Sequence, residues 1–268
     1  MRDRRHDGVA GGRGCGVPRT GAPHPSRPGP SSGTLLGVLL PAEVRVVEVH
    51  RDVAGVEDGA DPRELAVVAA ARPERRREFL TGRWCARRAL HLLGGPAEPV
   101  LPGPRRAPVW PAGVVGSITH CAGHRAAAVA RCEDLAALGL DATPHEPLPP
   151  RVLHVVADAA EREQLARLAA AVPDVHVDRV LFSAKESLIK AWSALEKDWP
   201  GFNGFHVRLH EDGTFTAEVR TAGPARTATG RWRADGELAG TAVAVPAAPR
   251  GRCGGPVAWW SGARNREL

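Results

Sequence analysis

The chain has 268 residues, 43% of them hydrophobic, enough for one large domain or two small ones. Its net charge of +6 sits at the ends: residues 1–33 carry +4 and residues 246–268 carry +3, leaving −1 between them. A nucleic-acid footprint needs cations clustered on a folded face among stacking aromatics, so no nucleic-acid partner is expected. No run approaches the roughly 18 apolar residues of a membrane span. The Arg- and Gly-rich opening has no apolar run before a cleavage site, so the cytoplasm is the default location and no membrane partner is expected. The five cysteines (Cys15, Cys85, Cys121, Cys132 and Cys253) are odd in number and scattered, and read as free thiols. His120, Cys121 and His124 lie close together but lack a second ligand pair for zinc.

In chain order, residues 1–33 are rich in Gly, Pro, Arg and Ser and read as a disordered extension. Order is expected from Thr34, with a strand over Val44–Val49. A helix runs from Pro73 to Leu93, with Pro in its first turn and Gly94-Gly95 as the stop. After a Pro/Gly-rich loop come strands at Val114–Thr119, Ala126–Ala130 and Leu135–Leu140, the last ending on Asp141. Beyond the Pro-rich stretch 144–150, helices are expected at Ala159–Ala171 and Leu181–Leu195. Strands follow at Phe205–Leu209 and Phe215–Val219, joined by the hairpin turn Asp212-Gly213. Further strands fit Ala225–Arg233 and Leu238–Val245, and residues 246–268 read as a loose tail.

The chain holds 33 arginines but only three lysines, Lys185, Lys190 and Lys197. Two of them fall in Phe182-Ser-Ala-Lys-Glu-Ser-Leu-Ile-Lys-Ala-Trp192. A site needing a compact ammonium rather than a planar guanidinium would retain Lys against such a bias. Glu186 and Lys190 are four apart and share a helix face; the plain alternative is a Ser183–Glu186 capping box and a surface ion pair. Leu138-Gly-Leu-Asp141 is an apolar strand ending on a carboxylate, either a metal ligand or a turn cap. Ser117, Thr119 and His120 offer hydroxyls and an imidazole suited to phosphate, although a structural His is the commoner case. Arg75, Arg76 and Arg83 are spaced by about two helical turns and can face one side, as phosphate forks or as a solvated basic face.

These segments together resemble the Sfp-type 4′-phosphopantetheinyl transferases, especially the enterobactin synthetase component D-like group and its actinobacterial relatives. The motifs that carry the resemblance are residues 75–87, Trp110-Pro with 116–123, 139–149 and 182–192, and the likeness runs from Thr34 to Val245. It implies an α/β fold of the α+β kind, a single-chain pseudo-dimer of two similar halves (34–143 and 144–245), and a monomer. It also implies a holo-carrier-protein synthase that moves 4′-phosphopantetheine from CoA to a serine of an acyl, peptidyl or aryl carrier protein, releasing 3′,5′-ADP. By motif, Asp141 and Glu186 would bind Mg²⁺, with Mn²⁺ as a substitute. Lys190 and Lys185 would neutralise CoA phosphates, and Thr119, His120, Arg75 and Arg83 would hold the 3′-phosphate and its neighbours. Glu186 would take the serine proton, directly or through a metal-bound water.

Two segments depart from the family pattern. Thr143 stands where a second acid is common two residues after the aspartate, which predicts a looser or differently hydrated metal. Arg105 and Arg106 replace a lysine expected before Trp110 and are candidates for CoA phosphate contact. The competing readings are a catalytically weakened CoA-binding homologue and a non-catalytic carrier-protein adaptor.

Overall fold

The structure, a computed structural model, describes residues 33–96, 98–196, 200–220 and 226–248. Most of the expected N-terminal extension and C-terminal tail, with Cys15, Cys253 and Lys197, lies outside these residues. The N-terminal part contains β1 (Arg45–Val49), α1 (Pro62–Val67), α2 (Pro73–Leu92), β2 (Val114–Cys121) and β3 (His124–Arg131). Its three strands form an antiparallel sheet in the order β1-β3-β2. Pro73 opens α2, where a missing N–H costs no helical bond. The helix buries Cys85, Ala86, Ala89 and Leu90 against Ala127 and Val129 of β3. Small alanines on the central strand allow this helix to lie close.

The C-terminal part runs β4 (Leu135–Pro144), α3 (Pro150–Val156), α4 (Ala159–Ala171), α5 (Val177–Ser193), β5 (Phe205–Leu209), β6 (Thr214–Val219), β7 (Arg226–Ala234) and β8 (Leu238–Pro246). Its sheet is antiparallel in the order β4-β8-β7-β6-β5. One face carries α4 and α5, with Val180, Leu181, Ala184 and Leu188 packed against Phe205, Val207 and Phe215. Along β4 the side chains alternate: Leu138, Leu140 and Ala142 join Leu36, Val46, Ala126 and Ala128 in a core between the two sheets. Residues 139, 141 and 143 therefore point the other way, toward α5.

The sheets meet where the edge strand β2 faces the edge strand β4. Instead of a backbone ladder, the hydroxyls of Ser117 and Thr119 accept hydrogen bonds from the β4 amides of Leu140 (3.0 Å) and Ala142 (3.1 Å). Two edge N–H groups that would be costly to bury are thus satisfied by side chains.

The mixed α+β class and the principal helices and strands match the expectations. The short helices α1 and α3 were not expected; α3 starts inside the Pro-rich stretch, with Pro150 in its first turn. Strand β4 continues past Asp141 to Pro144, because β8 pairs with it through Pro144↔Leu238. The chain passes between sheets before β4, ahead of the boundary expected at 143/144. The capping box belongs to α4, where Asp158 and Glu161 cap one another. Among the described residues no helix is long and apolar enough to cross a membrane.

Candidate active site

Asp141 is the centre of the site because β4 and α5 touch at a glycine. A Cβ on Gly139 would sit 1.8 Å from the carbonyl oxygen of Ser187, so only glycine lets the helix lie directly on the strand. Two residues on, on the same face, Asp141 is 6% exposed. Its Oδ2 accepts from Ser183 Oγ at 2.8 Å, and its Oδ1 accepts from Thr119 Oγ1 at 3.0 Å and from Lys190 Nζ at 2.7 Å. Lys190 also donates to the Leu140 carbonyl at 2.9 Å. Behind Ser183, Thr241 of β8 and Ser187 continue a buried hydroxyl chain at 3.0 and 3.1 Å. The carboxylate is aimed by groups from β2, β4 and α5 together.

Neither plain alternative for this region holds. Ser183 lies inside α5 and bonds Asp141 rather than capping a helix. Lys190 pairs with Asp141. Burial pushes the Glu186 carboxyl above its ordinary value, the Asp141 charge pushes it further, and Lys190 only partly opposes them. Two interacting carboxylates whose charge is under-compensated by one ammonium form a donor set suited to a hard divalent cation.

Beside this pair, α2 and β2 enclose a cleft of ≈ 500 Å³ lined by Arg75, Glu78, Phe79, Arg83, Arg106, Ile118 and His120, among others. The packing of α2 on β2 is close here: a Cβ on Gly82 would meet Ile118 at 3.3 Å. Arg83 is 7% exposed, its guanidinium stacks 4.3 Å from the Phe79 ring centroid, and its Nε has no hydrogen-bond partner. Burial holds its pKa down at about 10, with Glu64 opposing. A buried, incompletely paired guanidinium on a cleft wall is a ready anion contact. Arg105 and Arg106 both take positive φ (54° and 64°), a strained conformation for non-glycine residues. Of the two, only Arg106 lines the cleft. Asp141, Glu186 and Lys190 do not line it; β2 joins the two places, since Thr119 bonds Asp141 while His120 faces the cleft.

Three expectations are corrected by this geometry. The Thr119 hydroxyl is buried and committed to Asp141 and the Ala142 amide, so it braces the carboxylate instead of meeting a ligand. Lys185 is 0% exposed, and its Nζ donates to the Val156 carbonyl at 2.6 Å and to Glu161 at 2.8 Å, which removes it from any phosphate. Arg76 turns from the cleft to pair with Glu57 at 2.9 Å. Sequence reasoning missed Glu78, which gathers Arg75, His120 and Arg125 at the cleft mouth. It also missed the hydroxyl chain behind Asp141.

His120, Cys121 and His124 do not converge as metal ligands: His124 is fully buried against Glu48, and His120 turns to Glu78. Among the described residues Asp158, Glu161 and His206 do come together, but Lys185 and Arg220 already supply their cations.

Residues 62–130 match the 4′-phosphopantetheinyl transferase N-terminal domain and residues 137–245 the 4′-phosphopantetheinyl transferase superfamily model, the two meeting where the chain changes sheet. The chain is 53% identical over 197 residues to the 4′-phosphopantetheinyl transferase Svp of Streptomyces mobaraensis, covering 71% of this chain and 80% of Svp. It is 39% identical over 228 residues to PptT of Mycobacterium tuberculosis, covering 80% of this chain and 99% of PptT. It is 35% identical over 148 residues to enterobactin synthase component D of Salmonella typhi, covering 51% and 59% respectively. With both halves matched and nearly all of PptT covered, the chain belongs to the Sfp-type 4′-phosphopantetheinyl transferases.

Proposed function

We propose that this chain transfers 4′-phosphopantetheine from CoA to a serine of a carrier protein, with Mg²⁺ bound by Asp141 and Glu186. The observation that carries this reading is the Asp141–Glu186 pair beside a cleft walled by arginines, in a chain of this family. Arg75, Arg83, Arg106 and His120 fit the phosphate-bearing nucleotide end of CoA. Lys190, already at Asp141, is placed to neutralise charge gathering on the leaving phosphate. When bound, Mg²⁺ would supply charge neutralisation at the pyrophosphate. The serine Oγ attacks the phosphorus that carries pantetheine, the bond to 3′,5′-ADP breaks, and Glu186 takes the serine proton. Burial and the Asp141 charge raise its pKa in the metal-free protein, the direction that favours proton uptake. Phosphoryl transfer asks mainly for such positioning and charge stabilisation.

A long helix on an antiparallel sheet recurs in each half (α2 on β1-β3-β2, α5 on the five-stranded sheet), which supports the pseudo-dimer reading. We infer a cytoplasmic monomer acting on acyl, peptidyl or aryl carriers. Incubating the protein with CoA, Mg²⁺ and a panel of apo carrier proteins should add one phosphopantetheine mass to at least one carrier. No gain on any of them would defeat the catalytic reading and favour a carrier adaptor.

Thr143 shares the β4 face of Asp141 and is 7% exposed. A neutral hydroxyl there leaves the metal two carboxylates, and added ligand charge tightens divalent-cation sites. Thr143→Glu is expected to bind Mg²⁺ about ten-fold more tightly in the presence of CoA, read by calorimetry. An unchanged affinity would remove Thr143 from the metal argument.

A further inference from the structure

Glu78 stands one helical turn after Arg75 on α2, where residues three apart are neighbours. Its Oε2 accepts from Arg75 Nη1, and its Oε1 lies 3.1 Å from His120 Nδ1 and 3.9 Å from Arg125 Nη2. The opposite ring nitrogen of His120, Nε2, lies 3.2 Å from Arg75 Nη1. A guanidinium can only donate, so Nε2 is the acceptor and the proton is on Nδ1, facing Glu78. The triangle of Glu78, Arg75 and His120 thus fixes one imidazole tautomer and ties a helix residue to a strand residue across the cleft mouth. Burial lowers the His120 pKa, Arg75, Lys190 and Arg125 lower it further, and Glu78 opposes them. Burial also works against the Glu78 charge, but Arg75, His120 and Arg125 outweigh it and hold the carboxyl below its ordinary value. Both shifts run in the direction the geometry implies, disfavouring a charged ring and favouring an ionised carboxylate.

We propose that Glu78 is a positioning residue for CoA: it holds Arg75 and His120, from two different elements, in the arrangement that grips the 3′-phosphate. This rests on reading the cleft as the nucleotide site of CoA. The two side chains would otherwise sample many rotamers, and ordering them on binding would weaken affinity. A carboxylate near a phosphate also repels it, so the effect of removing Glu78 has a sign that decides between orientation and simple repulsion. Arg83 and Arg106 on the walls and Arg125 behind Glu78 keep the region cationic, which favours orientation.

The experiment measures KM and kcat for CoA and for dephospho-CoA, which lacks the 3′-phosphate, in wild type, Glu78→Gln and Glu78→Asp. The wild type should prefer CoA. Both variants should raise KM for CoA by about ten-fold, the order found when a partner that orients a ligand-contacting group is lost, with kcat within two-fold and KM for dephospho-CoA unchanged. Because Glu78→Asp keeps the charge and shortens the reach, a shared loss identifies position rather than charge. An equal rise for both donors, an unchanged KM or a lower KM for CoA overturns the proposal. A wild type indifferent to the 3′-phosphate overturns it together with the reading of the cleft; a wild type that discriminates, with variants that do so equally well, sinks the role of Glu78 alone.

Discussion

Glu186→Gln is expected to lower kcat by about three orders of magnitude, within the range for losing a general base or a principal electrostatic stabiliser. KM for CoA should rise by less than kcat falls, because the arginine-lined cleft that fits the nucleotide end does not include the carboxylates. Asp141→Asn should fall similarly, and the double variant should be no more than a few-fold worse than either, since the groups act as a unit. The same substitution should not destabilise the fold. Burial and the Asp141 charge both raise the Glu186 pKa, so its ionised form costs stability once the pH passes the unfolded value, and a neutral amide avoids that cost. Melting in chelator-treated buffer should therefore place Glu186→Gln at or above wild type. A loss of activity under ten-fold, or a large drop in melting temperature, would contradict this account.

The strands and long helices were legible because their apolar periodicity is regular and their ends are marked by Pro and Gly. Asp141 was legible as a carboxylate closing an apolar strand, whereas the close approach of α5 at Gly139, two residues earlier on the same face, shows only in the contacts. The end of β4 was less clear, since nothing local says that β8 will carry the pairing on to Pro144. Lys185 was misassigned although the spacing held the clue. Five residues at 3.6 per turn place it about 140° from Lys190, on another face of α5. Position 186, by contrast, is four from Lys190 and shares its face. Thr119 and Ser117 were recognised as polar groups near the site, but their role as the hydroxyl seam between two edge strands depends on contacts more than 20 residues apart. The Glu78 clamp is equally non-local, joining α2 to the far end of β2.

Lys185→Met is expected to destabilise the protein by about 3–5 kcal/mol, the range for removing one partner of a buried ion pair. At about 2–4 °C per kcal/mol for a chain of this size class, the melting point should fall by roughly 10 °C. The physical reason lies in what remains. Glu161 is 1% exposed, and its carboxylate also accepts from the amides of Val207 and Asp158 at 2.8 Å each. Without the ammonium it would be a buried anion with no counter-charge. Burial already lowers the Lys185 pKa, with Glu161 opposing, so the pair carries a desolvation cost that only close contact offsets. Replacing both members, as Lys185→Met with Glu161→Gln, should recover part of the loss. Neighbouring Asp158 adds an acid limb. Burial raises its pKa, but the Glu161 amide, His206 and Arg220 outweigh this and hold it at about 2, against 3.8 unperturbed. Its contribution is thus present above about pH 4 and lost as the pH falls toward 2. Lys185→Arg separates this structural role from a phosphate contact. A planar fork does not reproduce the contacts of a compact ammonium, so a lysine that met CoA would register the change in KM. A fully enclosed lysine with both partners within 2.8 Å has no room for a larger planar head, and overpacking typically costs about 1–3 kcal/mol. Lys185→Arg should therefore melt lower while retaining wild-type KM for CoA well below its melting point. An unchanged melting temperature with a raised KM would return Lys185 to the binding site. The two lysines kept in this helix of an arginine-rich chain then serve different ends: Lys190 supplies charge beside Asp141, and Lys185 a compact contact with Glu161 of α4.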